Sequence, residues 1–242
     1  MKGLKLTGGD REYVPGHGDP TFAVRHYELD LEYTPIGNRL VGTATLTVEA
    51  LEEITALRLY LVGLSVDKVT VGGKQVRYSH RLSHLRITLA KPLAAGKTAA
   101  VRVKYSGKPK PHRKRHLGAA GWEELEDGVL VAAQPHGAPT WYPCNDRPSD
   151  KATYRLTITA PNDYLVAFSG EQTSRRRGGS ATTWVFEPSG NSSRNAAIGI
   201  AAFTVIMSCR IILPTVRSRI QPISAALRMV SPRRCSRQVA NE

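Results

Sequence analysis

The chain has 242 residues, 41% of them hydrophobic, and a net charge of +14, long and apolar enough to bury a real core and unlike a disordered polymer. Its three cysteines, Cys144, Cys209 and Cys235, have neither framework nor metal-type spacing, which excludes a disulfide scaffold or zinc finger and fits a reducing compartment. Met1-Lys2-Gly3-Leu4-Lys5-Leu6 runs into the charged, Gly-rich Gly8-Gly9-Asp10-Arg11-Glu12 with no apolar signal core, so a cytoplasmic protein is expected.

From Val24 the chain alternates with period two, the mark of half-buried strands. Tyr27, Leu29, Leu31 and Tyr33 share one face, and His26, Glu28, Asp30 and Glu32 the other. Leu40, Ala44, Leu46 and Val48 continue the pattern, followed by Leu57, Leu59 and Leu61. Val66 to Val71 and Lys74 to Tyr78 flank Gly72-Gly73, a dipeptide that tolerates the positive φ of a tight hairpin. Leu85, Ile87 and Leu89, then Ala99, Val101, Val103 and Tyr105, then Val129 and Val131 keep the same rhythm. Tyr154 to Thr159, a Pro161-Asn162-Asp163 turn, Tyr164 to Phe168, and Thr182 to Glu187 beyond a Gly178-Gly179 tip complete it. Strands at this spacing predict an all-β fold over residues 20–190, a large antiparallel, saddle-like β-sandwich.

Beyond Glu187 the alternation stops. Ser189-Gly190-Asn191-Ser192-Ser193 reads as a linker, and the apolar run from Ala196 to Cys209 is shorter than the roughly 20 residues that span a bilayer. From Asn191 onward there are eight arginines, no lysine and a single acid, Glu242, so half the net charge sits in this last part. A selected surface mixes both signs. The expected organisation is a β domain over residues 1–190 and a poorly ordered, non-homologous or frameshifted tail over 191–242.

The segment Gln134-Pro135-His136-Gly137-Ala138-Pro139-Thr140-Trp141-Tyr142-Pro143-Cys144-Asn145-Asp146-Arg147-Pro148-Ser149-Asp150-Lys151-Ala152 resembles the signature loop that closes the N-terminal domain of aminopeptidase N-like zinc metallopeptidases. Gln134, Pro135, Ala138, Tyr142, Pro143, Cys144, Asp146, Pro148, Lys151 and Ala152 fall in register, while Pro139 stands where that family usually has Arg. The resemblance implies an enzyme that removes N-terminal residues from peptides with zinc-activated water. It also implies that Gln134 reaches into the substrate cleft, where its amide oxygen accepts a hydrogen bond from the peptide's free amine, more weakly than a carboxylate would. The family's metal and peptide-binding motifs, His-Glu-x-x-His and Gly-x-Met-Glu-Asn, do not occur in the 242 residues. No cofactor is therefore expected on this chain itself, and no turnover without a catalytic domain, peptide being its substrate only when such a domain is supplied.

His80 and His84 have the i, i+4 spacing of a zinc pair, but in an extended segment four residues span roughly 13 Å, and two ligands each about 2 Å from one metal cannot be held so. They are read as surface histidines. Cys144 is read as a small buried apolar residue, and Asp146, Pro143 and Pro148 as structural, the Asp capping backbone amides of the turn. The run Lys108-Pro109-Lys110-Pro111-His112-Arg113-Lys114-Arg115-His116 supports an alternative function, a basic β-sandwich module for RNA or an acidic partner. It lacks interleaved aromatics, and Glu123, Glu124, Glu126 and Asp127 follow it closely, so a solvated loop is the preferred reading, as is a charged hairpin tip for Arg175-Arg176-Arg177. No membrane partner is expected, and the sequence is silent on oligomeric state.

Overall fold

A computed structural model describes residues 18–115, 117–126, 128–133, 136–147 and 150–188, together with the backbone of 198–199 and 204–209. The described residues form three sheets around one core. The largest is nine-stranded, and its centre is the hairpin of β1 (Phe22–Thr34) and β2 (Arg39–Ala50), with Tyr33 opposite Leu40 and Tyr27 opposite Leu46. Tyr27, Leu29, Leu31 and Tyr33 are all buried, as the alternation requires, together with Leu40, Ala44, Leu46 and Val48. On the opposite face Arg155 pairs with Glu28 and Glu187, each at 3.1 Å; these exposed pairs contribute little stability.

On its other side β1 pairs with β12 (Lys151–Pro161), placing Tyr27 beside Tyr154 and Leu29 beside Leu156. This pairing is parallel, so the sheet is mixed rather than purely antiparallel. A parallel neighbour needs a long crossover, and here the crossover is most of the domain. β8 (Thr98–Gly107) flanks β2, and the Tyr105 ring lies over Gly42, where a Cβ would come within 2.4 Å of it. The edge on that side ends in a hairpin of β4 (Leu64–Val71) and β5 (Lys74–Gln75), turned by Gly72 and Gly73 at φ of +56° and +80°. The other edge is β15 (Ala181–Glu187) and the fully exposed β14 (Glu171–Arg177), which carries Arg175 to Arg177 up to the Gly178-Gly179 turn.

A second sheet of three strands runs β3 (Ile54–Tyr60), β7 (His84–Leu93), β6 (Tyr78–Arg81). The third, of five, runs β13 (Tyr164–Phe168), β17 (Thr204–Cys209), β11 (Gly128–Ala132), β10 (Gly118–Leu125), β9 (His112–Lys114). Here the structure corrects the sequence reading, which ended the strands at Glu187. β16 (Ile198–Gly199) adds to β12, and β17 lies between β11 and β13, with Met207 opposite both Val129 and Val166. Thr204-Val205-Ile206-Met207-Ser208-Cys209 does not alternate, so a period-two test passes over it. Its apolar part, Val205-Ile206-Met207, is a short unbroken run, which periodicity alone does not assign to a strand.

Asn38, at φ +49°, ties the sheets together. Its Oδ1 accepts from the Tyr33 hydroxyl and Trp122 Nε1, and its Nδ2 donates to the Pro109 carbonyl and Glu124. A left-handed position favours Asn among non-glycine residues. Among the described residues no helix is long and apolar enough to cross a membrane.

The signature loop as candidate functional site

The loop that follows β11 is held by backbone before side chains enter. Gly137 N donates to Ala133 O at 2.7 Å, and a single 3₁₀ turn covers Ala138–Thr140, with Pro139 near its start, where a fixed φ is tolerated. Gly137 lies against Gly121: a Cβ on Gly137 would sit 2.3 Å from the Gly121 nitrogen, and Gly121 has φ +105°. Only two glycines allow that approach. The Thr140 hydroxyl donates to Gly137 O at 2.7 Å and accepts from Trp122 N at 3.0 Å, joining the loop to β10. Val62 N donates to Pro139 O, and Tyr60 and Cys144 exchange backbone bonds at 2.7 and 3.0 Å. One short segment thus binds the three-stranded sheet to the five-stranded one. Thr140→Val keeps the shape and removes the acceptor for a buried amide, so urea unfolding should register a loss of about 1–3 kcal/mol.

Past the turn the side chains form an aromatic cluster. Trp141 and Tyr142 meet edge to face at 4.5 Å, Tyr142 meets Tyr27 at 5.5 Å, and Tyr27 stacks on Tyr154 at 4.8 Å. Cys144 is buried among them, and burial, then the charge of Asp146, pushes its thiol well above the ordinary range. It is the inert apolar residue expected from the sequence and has no nucleophilic character. Burial likewise raises the hydroxyls of Tyr27, Tyr105, Tyr142 and Tyr154 well above 10, and that of Tyr33 to about 12.

These shifts have a consequence for alkaline stability. Unfolded tyrosines lose their protons near pH 10, while the native ones hold theirs. Above that pH the unfolded state binds fewer protons, and stability falls by about 1.4 kcal/mol per pH unit for each such group. The contribution is fully present below about pH 9. Four fully buried tyrosines together give a slope of about 5 kcal/mol per pH unit, so an alkaline titration should show tyrosinate absorbance and loss of structure rising together in one steep step. Gradual ionisation of these rings within an intact fold would contradict it.

Asn145 is the residue that sequence reasoning missed. Its Oδ1 accepts from Asp19 N at 2.7 Å, and its Nδ2 contacts the carbonyls of Asp19 and Phe22 and the Asp150 carboxylate. Its backbone N donates to the Tyr27 hydroxyl at 3.2 Å. Asp150 is raised above the usual carboxylate range by burial, against Arg147 and the Asn145 bond. Asp146, given the capping role in the sequence reading, is buried next to Asn145, and its charge acts on Lys114 and Cys144. A buried Asn between Cys and Asp carries no periodic signal; only its position inside the signature pointed to it.

Gln134, Pro135 and Pro148 lie outside the described residues, although Ala133, just before Gln134, is buried. His136 is buried, with Nε2 3.1 Å from His112 O and its ring edge to face with His112. His80 and His84 lie on the two strands of the β6–β7 hairpin, His80 Nε2 3.0 Å from Leu61 O and His84 over the Tyr60 ring, so they form no ligand pair. No group of three or more His, Cys, Asp or Glu able to hold a metal exists among the described residues.

Residues 23–193 match the family described as "Peptidase M1 N-terminal domain". This chain belongs to that family. Among the relatives of the M1 N-terminal domain, leukotriene A-4 hydrolase of Xenopus laevis is 25% identical over 158 residues, which is 61% of this chain and 26% of the hydrolase. The M1 zinc metallopeptidase of Deinococcus radiodurans superposes with a TM-score of 0.73 at 29% identity, over 80% of this chain and 44% of that one. A mutant of the same enzyme bound to a Tyr-Ser-Ala substrate gives a TM-score of 0.74 at 29% identity. The chain therefore spans about a quarter of the hydrolase and less than half of the metallopeptidase.

Proposed function

We propose that this M1 N-terminal domain serves a zinc-dependent aminopeptidase that removes N-terminal residues from peptides, forming one wall of the substrate cleft. The observation that carries the proposal is the signature loop, held by Gly121, Thr140, Tyr60 and Asn145 in a fold that superposes on a peptide-binding metallopeptidase. Zinc would be held by a catalytic domain, because the described residues of this chain do not fit it. Zinc supplies an activated water in such enzymes; this chain's part is to position the peptide. Gln134, at the start of the loop, would accept a hydrogen bond from the substrate amine. The odd number and non-framework spacing of the three cysteines support a reducing, cytoplasmic setting.

The basic run makes a weaker case for nucleic acid. Pro109 is buried with its carbonyl bonded to Asn38, and Lys114 is partly buried and under the influence of Asp146.

The purified 242-residue chain is expected to bind no stoichiometric zinc and to hydrolyse no aminoacyl reporter. Grafted in place of the matching segment of the Deinococcus radiodurans metallopeptidase, residues 18–209, which keep β17, should support hydrolysis that the catalytic part alone lacks. In that chimera Gln134→Ala should raise KM about tenfold with a smaller effect on kcat, and Gln134→Glu should lower KM, since a carboxylate binds ammonium more strongly than an amide. A folded, zinc-loaded chimera no more active than the catalytic part alone would refute the proposal.

A further inference from the structure

Among the described residues β3 is the end strand of its sheet, and only its last residue is covered on the side away from β7. Tyr60 turns its N–H and C=O outward to Cys144. By the period of two, Arg58 and Ala56 also turn theirs outward, while Leu57 and Leu59 face β7. The register agrees, since Thr88, opposite Ala56, gives its N–H away from β3 to Arg77 O. Among the described residues nothing bonds to Ala56 or Arg58 on the open side. A groove of about 360 Å³ runs along this edge, lined by Glu53 to Arg58 and by Asp19, Thr21 and Arg86.

The charges along the groove are separated. Asp19 and Glu53 lie at the start of β3, Arg58 and its cross-strand partner Arg86 toward its end. Asp19 is fixed, its Oδ1 accepting from the N–H and hydroxyl of Thr21. An isolated anion would use only the arginines. A second copy of this chain would bring a whole sheet against an edge that Asp19 and Thr21 flank. A single extended peptide uses everything present: an ammonium for the acids, a carboxylate for the arginines and a backbone for the open ladder positions.

The geometry points to strand addition at β3, by a short oligopeptide running parallel to it with its free amino end at Asp19 and Glu53 and its free carboxylate at Arg58 and Arg86. The step from Glu53 to Arg58 at about 3.3 Å per residue fits about five residues. The site is built from Ala56, Arg58 and Arg86, and is independent of the function proposed above.

The test is isothermal titration of the full chain with Thr-Val-Thr-Val-Thr. Saturable binding with Kd of about 1 mM or tighter is expected, weakened roughly tenfold by N-acetylation, by C-amidation, or by Arg58→Gln or Arg86→Gln. Both arginines are exposed, so these two variants should keep the far-ultraviolet spectrum of the parent. Ala56→Pro removes an edge donor without breaking a bond to β7 and should abolish binding. No saturable heat at millimolar peptide overturns the inference, and so does equal affinity for the end-blocked peptide. Dimerisation of the chain that Ala56→Pro disrupts would overturn it in favour of a second copy. Binding that emerges only after deletion of residues 1–17 would overturn it in favour of the chain's own start.

Discussion

Asn145→Ala is expected to cost about 3 kcal/mol or more, a large share of the stability of a domain of this size. The amide accepts from the half-buried Asp19 N–H and contacts two carbonyls and a carboxylate. Asn145 is itself fully buried, with Asp19 and Asp150 half-buried around it, and each group orphaned by truncation costs about 1–3 kcal/mol where water cannot replace the amide. The midpoint of thermal unfolding should fall by about 6–12 °C. Asn145→Asp should do no better, because it places a second carboxylate within bonding distance of Asp150 and removes the donor to the carbonyls. A double-mutant cycle with Asp150→Ala should return a coupling of about 1 kcal/mol. A thermal midpoint within about 2 °C of the parent for Asn145→Ala would show that Asp19 and Phe22 find other partners.

The sheets were legible in the sequence because burying one face of a strand imposes period two on residue choice, and Tyr27 to Tyr33 or Leu57 to Leu61 display it directly. The joints between sheets were not. Asn38 and Asn145 each satisfy several buried polar groups from elements distant in sequence, and a single polar residue meeting such a demand leaves no pattern. The parallel pairing of β1 with β12 was hidden for a related reason, since alternation says which face is buried but not which strand lies beside it. The candidate site was legible only as a motif: Cys144 and Tyr142 stood in register with a known loop, yet nothing in their spacing told that Cys144 would bridge to Tyr60.

The largest effect is expected from shortening the chain after Pro188. The alternation placed the end of the β domain near residue 190, and on that reading the loss of everything beyond would leave the thermal transition nearly unchanged. The structure instead sets β17 between β11 and β13, paired with five residues of each. At about 0.5–1.5 kcal/mol for each hydrogen bond, the lost ladders alone contribute about 5 kcal/mol, comparable to the whole stability of a typical domain. Removal also bares two strand edges whose side chains Val129, Val131, Val166 and Phe168 belong to the core, a template for association. A chain ending at Pro188 should therefore aggregate or unfold without a cooperative transition. A chain ending at Arg210, which keeps β17 and discards the Arg-rich remainder, should melt within about 3 °C of the parent. The pair of variants separates the two parts of the tail: a cooperative, soluble domain ending at Pro188 would restore the boundary at residue 190 and remove β17 from the fold.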